Sequence, residues 1–400
     1  MGLKIGLVTG EYPPMEGGVG AFSSQLAKAL AMLGHEIHII ASGDARPDQS
    51  RRSIWAPHEP VDVGFAQLHP RINRWRWSAV NTIADIAVQY DLNVVNLQYQ
   101  AAAFDMNIPA INFLPWRLKE VSLTVVTFHD LRVPYLFPKA GRLRPWVVYK
   151  LARSADGVIV TNAEDFARLQ ERDFDPRRLM LIPIGSNVRA IQPLVTHVRA
   201  LRKELGLGND DLLLGYFGFL NASKGADILL QVLKQLDSEV HLAFIGARTG
   251  SSDPENVAFL EHVESTIAQF GLASRIHWSG FLSDAELSTY FSAVDIMVMP
   301  YRDGVSLRRG TLMAILANGR PLITTEPSSP IPELIHGENV WLTPIDDTVT
   351  LKEAISQLAA DPDLRIRLGR GAALLAKSFS WDRIAQQTSA FFEAITNLDL

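Results

Sequence analysis

Residues 300–325, PYRDGVSLRRGTLMAILANGRPLITT, decide the fold. They follow the apolar run Ile296–Met299. In order, they contain a Gly- and Arg-bearing turn, a helical apolar stretch at Thr311–Leu316, Gly319 where a helix should end, and a second apolar run at Leu322–Thr325. Strand, turn, helix and strand in this order make a β-α-β unit, whose two strands must run parallel. The first strand stretch is apolar throughout and the second opens on Leu322 and Ile323, as in a sheet covered on both faces.

The same rhythm extends outward. Before it come strands at Leu212–Tyr216, Val240–Ile245 and Ile276–Ser279, with helices at Ala226–Leu236, Ser265–Phe270 and Asp284–Ala293. An earlier series has strands at Leu3–Thr9, Glu36–Ala41, Leu92–Leu97, Leu123–Thr127, Gly157–Thr161 and Leu179–Pro183. Its first helix carries Phe22, Leu26, Leu30 and Leu33, and another spans Trp146–Ala152. Two such series predict an α/β protein of two Rossmann-like domains facing a central cleft, residues 1–190 and 197–379. The joint is the aperiodic stretch Arg189–Thr196. An amphipathic helix, Trp381–Ile395, lies within residues 380–400. The chain of 400 residues suits two or three domains.

Composition narrows the chemistry. Hydrophobic residues are 47% and charged residues 20%, so sizeable cores are expected. The chain has no cysteine, which excludes disulfides, thiolate metal sites and cysteine nucleophiles, and fits a reducing compartment. A net charge of -5 gives no global basic field for nucleic acid. The charge is uneven: 21 Lys and Arg against 18 Asp and Glu over residues 1–190, and 17 against 25 over residues 191–400. Neither a signal-peptide core nor an apolar run of about 20 residues is present, so a cytoplasmic location is expected.

Four segments can carry chemistry. Gly17-Gly18-Val19-Gly20 lies between a strand and a helix, where it is either a tight turn or an anion cradle. Lys224 sits in GFLNASKGADILL where the next helix opens; it is a solvated loop lysine or a diphosphate contact. In the deciding stretch, Ser306, Arg308, Arg309, Gly310 and Thr311 lead into a helix. Paired arginines can fork-bind a diphosphate, and Gly310 and Thr311 can offer backbone N–H groups. His129 and Asp130 end a strand in TFHDL, where the histidine is a structural cap or faces the cleft. Separately, HPRINRWRWSAV (69–80) and the Arg142, Arg144, Trp146 cluster mix basic and aromatic residues. They are either a packed helix start with solvated arginines or a surface for anionic lipid headgroups or a sugar-lipid.

Together these motifs resemble glycosyltransferase family 4, retaining nucleotide-sugar enzymes of the GT-B fold, over almost the whole chain. YPPMEGGVGAF resembles the family's first Gly-rich loop, TFHDL its strand-end histidine motif and LIPIGSNV its strand before the linker. YFGFLNASKGADILL resembles its Gly-Arg…Lys-Gly segment, and LANGRPLITT the end of its donor motif.

The resemblance implies a nucleoside diphosphate sugar as donor substrate, no cofactor and no metal, and a final helix crossing back to the first domain. It implies that His129 lies beside the transferred sugar and the β-phosphate and serves catalysis. Lys224, Gly310 and Thr311 would bind the diphosphate, and Gly18 and Gly20 would border it or the acceptor. The acceptor would be a glycan, a lipid-linked sugar or a small molecule. On the surface reading of the basic and aromatic segments 69–80 and 142–146, the protein would make peripheral contact at the inner face of a membrane.

Two departures stand out. The family's Glu-x7-Glu pair falls on Ser306 and Ala314, and the arginine of its Gly-Arg segment falls on Phe219. One of Arg308 and Arg309 then replaces the lost cation, and Glu326 and Glu333 are candidates for the ribose. The chain thus resembles a divergent subset lacking both glutamates. A nucleotide-sugar epimerase of the same fold, or a non-catalytic nucleotide-sugar-binding protein, is the alternative.

Overall fold

The computed structural model describes residues 2–15, 17–46, 59–131, 133, 134, 136, 139–248 and 254–398. Along the chain these form β1 (Lys4–Thr9), α1 (Gly18–Met32), β2 (Glu36–Ser42), β3 (Val61–Asp62), β4 (Gln67–Ile72), α2 (Trp77–Tyr90), β5 (Val94–Tyr99), α3 (Leu114–Leu118), β6 (Leu123–Phe128), α4 (Leu143–Ser154), β7 (Gly157–Val160), α5 (Ala163–Gln170) and β8 (Leu179–Leu181). There follow α6 (Val195–Glu204), β9 (Leu212–Phe217), α7 (Ala226–Leu233), β10 (Val240–Ile245), α8 (Pro254–Gln269), β11 (Ile276–Trp278), α9 (Asp284–Ala293), β12 (Ile296–Met299), α10 (Gly310–Ala317), β13 (Leu322–Thr325), β14 (Trp341–Thr343), α11 (Thr348–Ala360), α12 (Pro362–Ala376) and α13 (Trp381–Leu398). They make two compact units, Met1–Gly185 with Ser380–Leu400, and Ser186–Phe379.

The first unit holds an eight-stranded sheet, ordered β3-β4-β2-β1-β5-β6-β7-β8. It is parallel except for β3, which pairs antiparallel with Gln67 and Leu68 of β4, a departure from the all-parallel sheet expected. The residues of β5 are buried without exception, and successive ones feed opposite faces. Val95, Leu97 and Tyr99 join the core beneath α2, α3 and α4. Val94 joins the core on the other face, with Leu26 and Leu30 of α1 and with Ile384, Phe391, Phe392 and Ile395 of α13. The last helix therefore completes the first unit's core. A Cβ on Gly157 of β7 would stand 3.0 Å from the Phe391 ring, which shows how closely that helix lies on the sheet.

The second unit is a wholly parallel six-stranded sheet, ordered β11-β10-β9-β12-β13-β14. The stretch before α6 is tied to it: Ser288 of α9 accepts from the amide of Ile191 at 3.0 Å. Each sheet reverses its order beside its first strand, between β1 and β5 and between β9 and β12. Ligands of open α/β sheets bind at the carboxyl ends of strands beside such a reversal.

One local expectation fails. The run 69–80 is a helix start only in its last four residues. His69–Ile72 ends strand β4, and α2 begins only at Trp77. Pro70 is tolerated within β4 because β3 reaches only Gln67 and Leu68, so its missing N–H breaks no bond on that side.

Candidate functional site

In the second unit the loops leaving β9 and β12 meet. The chain leaves β9 through Gly218 at φ 90°, and a Cβ there would strike Thr311 Cγ2 at 2.8 Å and lie 3.1 Å from Lys224 Nζ. Lys224 closes a single 3-10 turn that starts when the Asn221 side chain accepts from the Ser223 amide. Gly225 follows in the left-handed region, φ 70°, with its Cβ position 2.1 Å from the carbonyl oxygen of Pro300. Only glycine allows that approach. Lys224 Nζ donates to the carbonyl of Phe219 at 2.8 Å. Burial, and secondarily the charge of Arg309, lower its pKa to about 8.

Arg309 is the inward arginine. Its guanidinium lies over the Tyr301 ring, 4.0 Å from the centroid, and pairs with Asp303. Its side chain is 17% exposed, and its Nε is buried without a hydrogen-bond partner. The buried Tyr301 also shares a 2.8 Å hydrogen bond with Thr311 Oγ1, so one ring steadies both Arg309 and the start of α10. No side chain caps α10, and the space where a Cβ of Gly310 would stand is open. Cation and helix amides therefore converge at the carboxyl edge beside the strand reversal, where an anion is favoured.

The other residues of this group divide. Arg308 is exposed, and its amide donates to Ser306 Oγ at 3.3 Å. The Ser306 carbonyl accepts from the Arg309 amide at 3.1 Å, so Ser306 shapes the turn. Glu326 and Glu333 are exposed. The Glu326 amide donates to Thr343, and the Glu333 carbonyl accepts from Asn339.

In the first unit, Gly18 opens α1 and is exposed. Gly20 is buried against the preceding loop, its Cβ position 2.9 Å from the Glu11 carbonyl oxygen. Glu11 went unnoticed in the sequence. Burial raises its pKa, while the Gly20 amide beside its carboxyl acts in the opposite direction. The Gly20 N–H thus already faces a carboxylate, which leaves it less suited to a phosphate. The signal available was an acid six residues before a Gly-rich helix start.

His129 follows β6. Its amide donates to Tyr99 O at 3.0 Å, its ring meets the edge of Phe22 at 4.7 Å, and Nε2 lies 3.0 Å from Gln98 Oε1. Burial lowers its pKa to about 4, so the imidazole is neutral at pH 7. Asp130 is buried beside it, and its charge adds to the burial that lifts Tyr99 to about 12. Among the described residues, no three His, Asp or Glu side chains gather as a metal-binding group.

Residues 17–185 match the glycosyl transferase 4-like domain and residues 211–361 the glycosyl transferases group 1 domain. A D-inositol 3-phosphate glycosyltransferase of Streptomyces scabiei is 25% identical over 254 residues, 61% of this chain and 55% of that protein. The chain spans about half the length of the first such relatives it matches. Among solved structures, sucrose-phosphate synthase from Thermosynechococcus elongatus superposes with a TM-score of 0.75 at 21% identity, covering 98% of both chains. Anabaena HepE in complex with UDP superposes with a TM-score of 0.74 at 16% identity, covering 97% of this chain and 99% of that one. With both halves matched and the two-sheet architecture shared, the chain belongs to the group 1, 4-like glycosyltransferases of GT-B fold.

Proposed function

We propose that the protein transfers a sugar from a nucleoside diphosphate sugar to an acceptor. The observation that carries this reading is the meeting of Lys224, Arg309 and the uncapped start of α10 beside the β9/β12 reversal. Breaking the bond between sugar and phosphate leaves a diphosphate, so fixed positive charge must wait where negative charge grows. Lys224 and Arg309 supply two cations, and Gly310 and Thr311 supply amides. Tyr301 and Asp303 hold Arg309 in place before the donor arrives. His129 and Asp130 serve the sugar end of the reaction, with retention at the anomeric carbon, and Gly18 borders the leaving-group phosphate or the acceptor. UDP, the nucleotide bound by HepE, is the first donor base to try.

For the acceptor, a membrane-associated one is favoured by the surface around Phe113. Trp77 and Trp146 both lie against Phe113, with centroids 5.5 and 6.5 Å away, and both are at least half exposed. Trp116 is exposed on α3 between them, and Arg74, Arg76 and Arg142 are exposed nearby in sequence. Indole rings with arginines suit an anionic headgroup layer. No described helix is long and apolar enough to cross a membrane.

The test is to incubate the protein with a panel of nucleoside diphosphate sugars and acceptor extracts. Release of nucleoside diphosphate with gain of a sugar on an acceptor is expected. Donor binding without turnover on any acceptor, or conversion of the donor sugar with no acceptor added, would overturn it. Flotation with anionic vesicles tests the surface separately; recovery of the protein only in the unbound fraction removes the membrane contact.

A further inference from the structure

A row of buried amides runs beneath His129 on the face of the first sheet that α1 and α13 cover. Asn96 and Gln98 are two residues apart on β5 and so point to one face; both are fully buried in a strand otherwise apolar but for its terminal tyrosine. In register they stand opposite Val125 and Thr127 of β6. Two amides inside a sheet are costly unless every group is paired, so their pairing carries information.

The pairing has a direction, and a backbone carbonyl sets it. A carbonyl oxygen can only accept. Asn96 lies 3.1 Å from the carbonyl of Val125, so the atom facing it must be Nδ2, which also donates to Thr127 Oγ1 at 2.9 Å. Asn96 Oδ1 is then turned toward Gln98, whose Nε2 donates to it. That turns Gln98 Oε1 toward His129, 3.0 Å from Nε2 of the ring. An amide oxygen can only accept, so Nε2 must carry the hydrogen. In the neutral ring, Nδ1 then keeps its lone pair.

We propose that Gln98, oriented by Asn96, is a positioning residue that fixes His129 as the Nε2–H tautomer and leaves Nδ1 as a hydrogen-bond acceptor. The ring therefore receives a hydrogen bond from a hydroxyl group at Nδ1 and offers no N–H on that side. Its partner is a hydroxyl of the transferred sugar or of the acceptor. Burial against Phe22 keeps the ring neutral, which agrees with an acceptor role and not with a cation beside phosphate. The tautomer follows from the chain of bonds alone; its use toward a hydroxyl rests on the proposed transfer reaction.

The test is nitrogen NMR of the full-length protein labelled with 15N-histidine, without ligand at neutral pH, the His129 signals being assigned by their loss in His129→Gln. The expected spectrum has separate protonated-Nε2 and unprotonated-Nδ1 resonances. Gln98→Leu should lose this single-tautomer pattern, and Gln98→Glu, whose carboxylate also accepts, should restore it. A protonated Nδ1 or a tautomer mixture in the unaltered protein overturns the inference, and this measurement needs no variant of the row to fold. An unchanged tautomer in Gln98→Leu overturns it equally. Turnover is read apart: a His129→Gln enzyme of full activity would refute the catalytic reading while the spectrum still judged the tautomer.

Discussion

At the scale of single residues, the arginine pair shows what sequence can and cannot tell. That two arginines stand in the turn before α10 is legible from the order of Ser306, Arg308, Arg309 and Gly310; that one replaces the family's lost cation is an inference from the resemblance. Which arginine turns inward is not legible, because that depends on the Tyr301 ring and Asp303, eight and six residues earlier. Arg309→Ala is expected to weaken nucleoside diphosphate binding by about 10- to 100-fold, the range for a charge-assisted hydrogen bond. Arg308→Ala should change it by less than about threefold, as for an exposed charge. Titration calorimetry compares the two, and equal losses would reject the assignment. Lys224 gives a pH signature. Its protonated form binds the diphosphate and its pKa in the free protein is about 8. Above pH 7, where the diphosphate is fully ionised, affinity should thus fall as pH rises through 8, by up to about tenfold at pH 9. Lys224→Met should bind weakly at every pH and lose that slope.

At the scale of elements, the unit β12–turn–α10–β13 is legible because its apolar runs and its closing Gly319 agree with one another. Elements whose local signals disagree are harder. Pro70 and two flanking polar residues disguise β4, and only the short reach of β3 explains why the proline is harmless. The helix α8 spans Pro254–Gln269, well beyond the stretch 265–270, because its early turns carry exposed Val257 and several acids instead of a clean apolar stripe. Conversely, α7 stops at Leu233, and Lys234–Leu236 turn away. Gly225 is where two loops depend on one backbone. Gly225→Ala would force a Cβ onto the Pro300 carbonyl oxygen at a positive φ. The expected cost is about 2–4 kcal/mol, read by chemical denaturation. The same variant should also weaken nucleoside diphosphate binding, because the Lys224 turn moves with it; a stable variant with unchanged binding would deny that coupling.

At the scale of the whole molecule, the two sheets are legible from repetition, and the uneven charge from counting. The glycine loop is legible as a tight turn or an anion cradle, but Glu11 lying against it is a long-side-chain contact that no spacing rule supplies. The return of α13 to the first unit came from resemblance; its physical warrant is the buried stripe Ile384, Phe391, Phe392 and Ile395. Phe392 is fully buried, so Phe392→Ala should destabilise the first unit by about 3–5 kcal/mol. A fragment of residues 186–379 should fold by itself, with circular dichroism showing cooperative unfolding, and should still bind nucleoside diphosphate. An unfolded fragment would mean that the second unit leans on the first.

That last helix also sets a timetable. A ribosome releases residues at about 5–20 per second. Once the first unit's strands have emerged, all of Ser186–Phe379 must be synthesised before α13 appears, a wait of about 10–40 s. During that interval the apolar face formed by Val94, Val125 and Ile159 lacks the part of its cover that α13 supplies. The unit encoded first is thus the one finished last, and a nascent chain that has emerged only as far as residue 379 should carry a folded second unit and an adhesive, unfinished first.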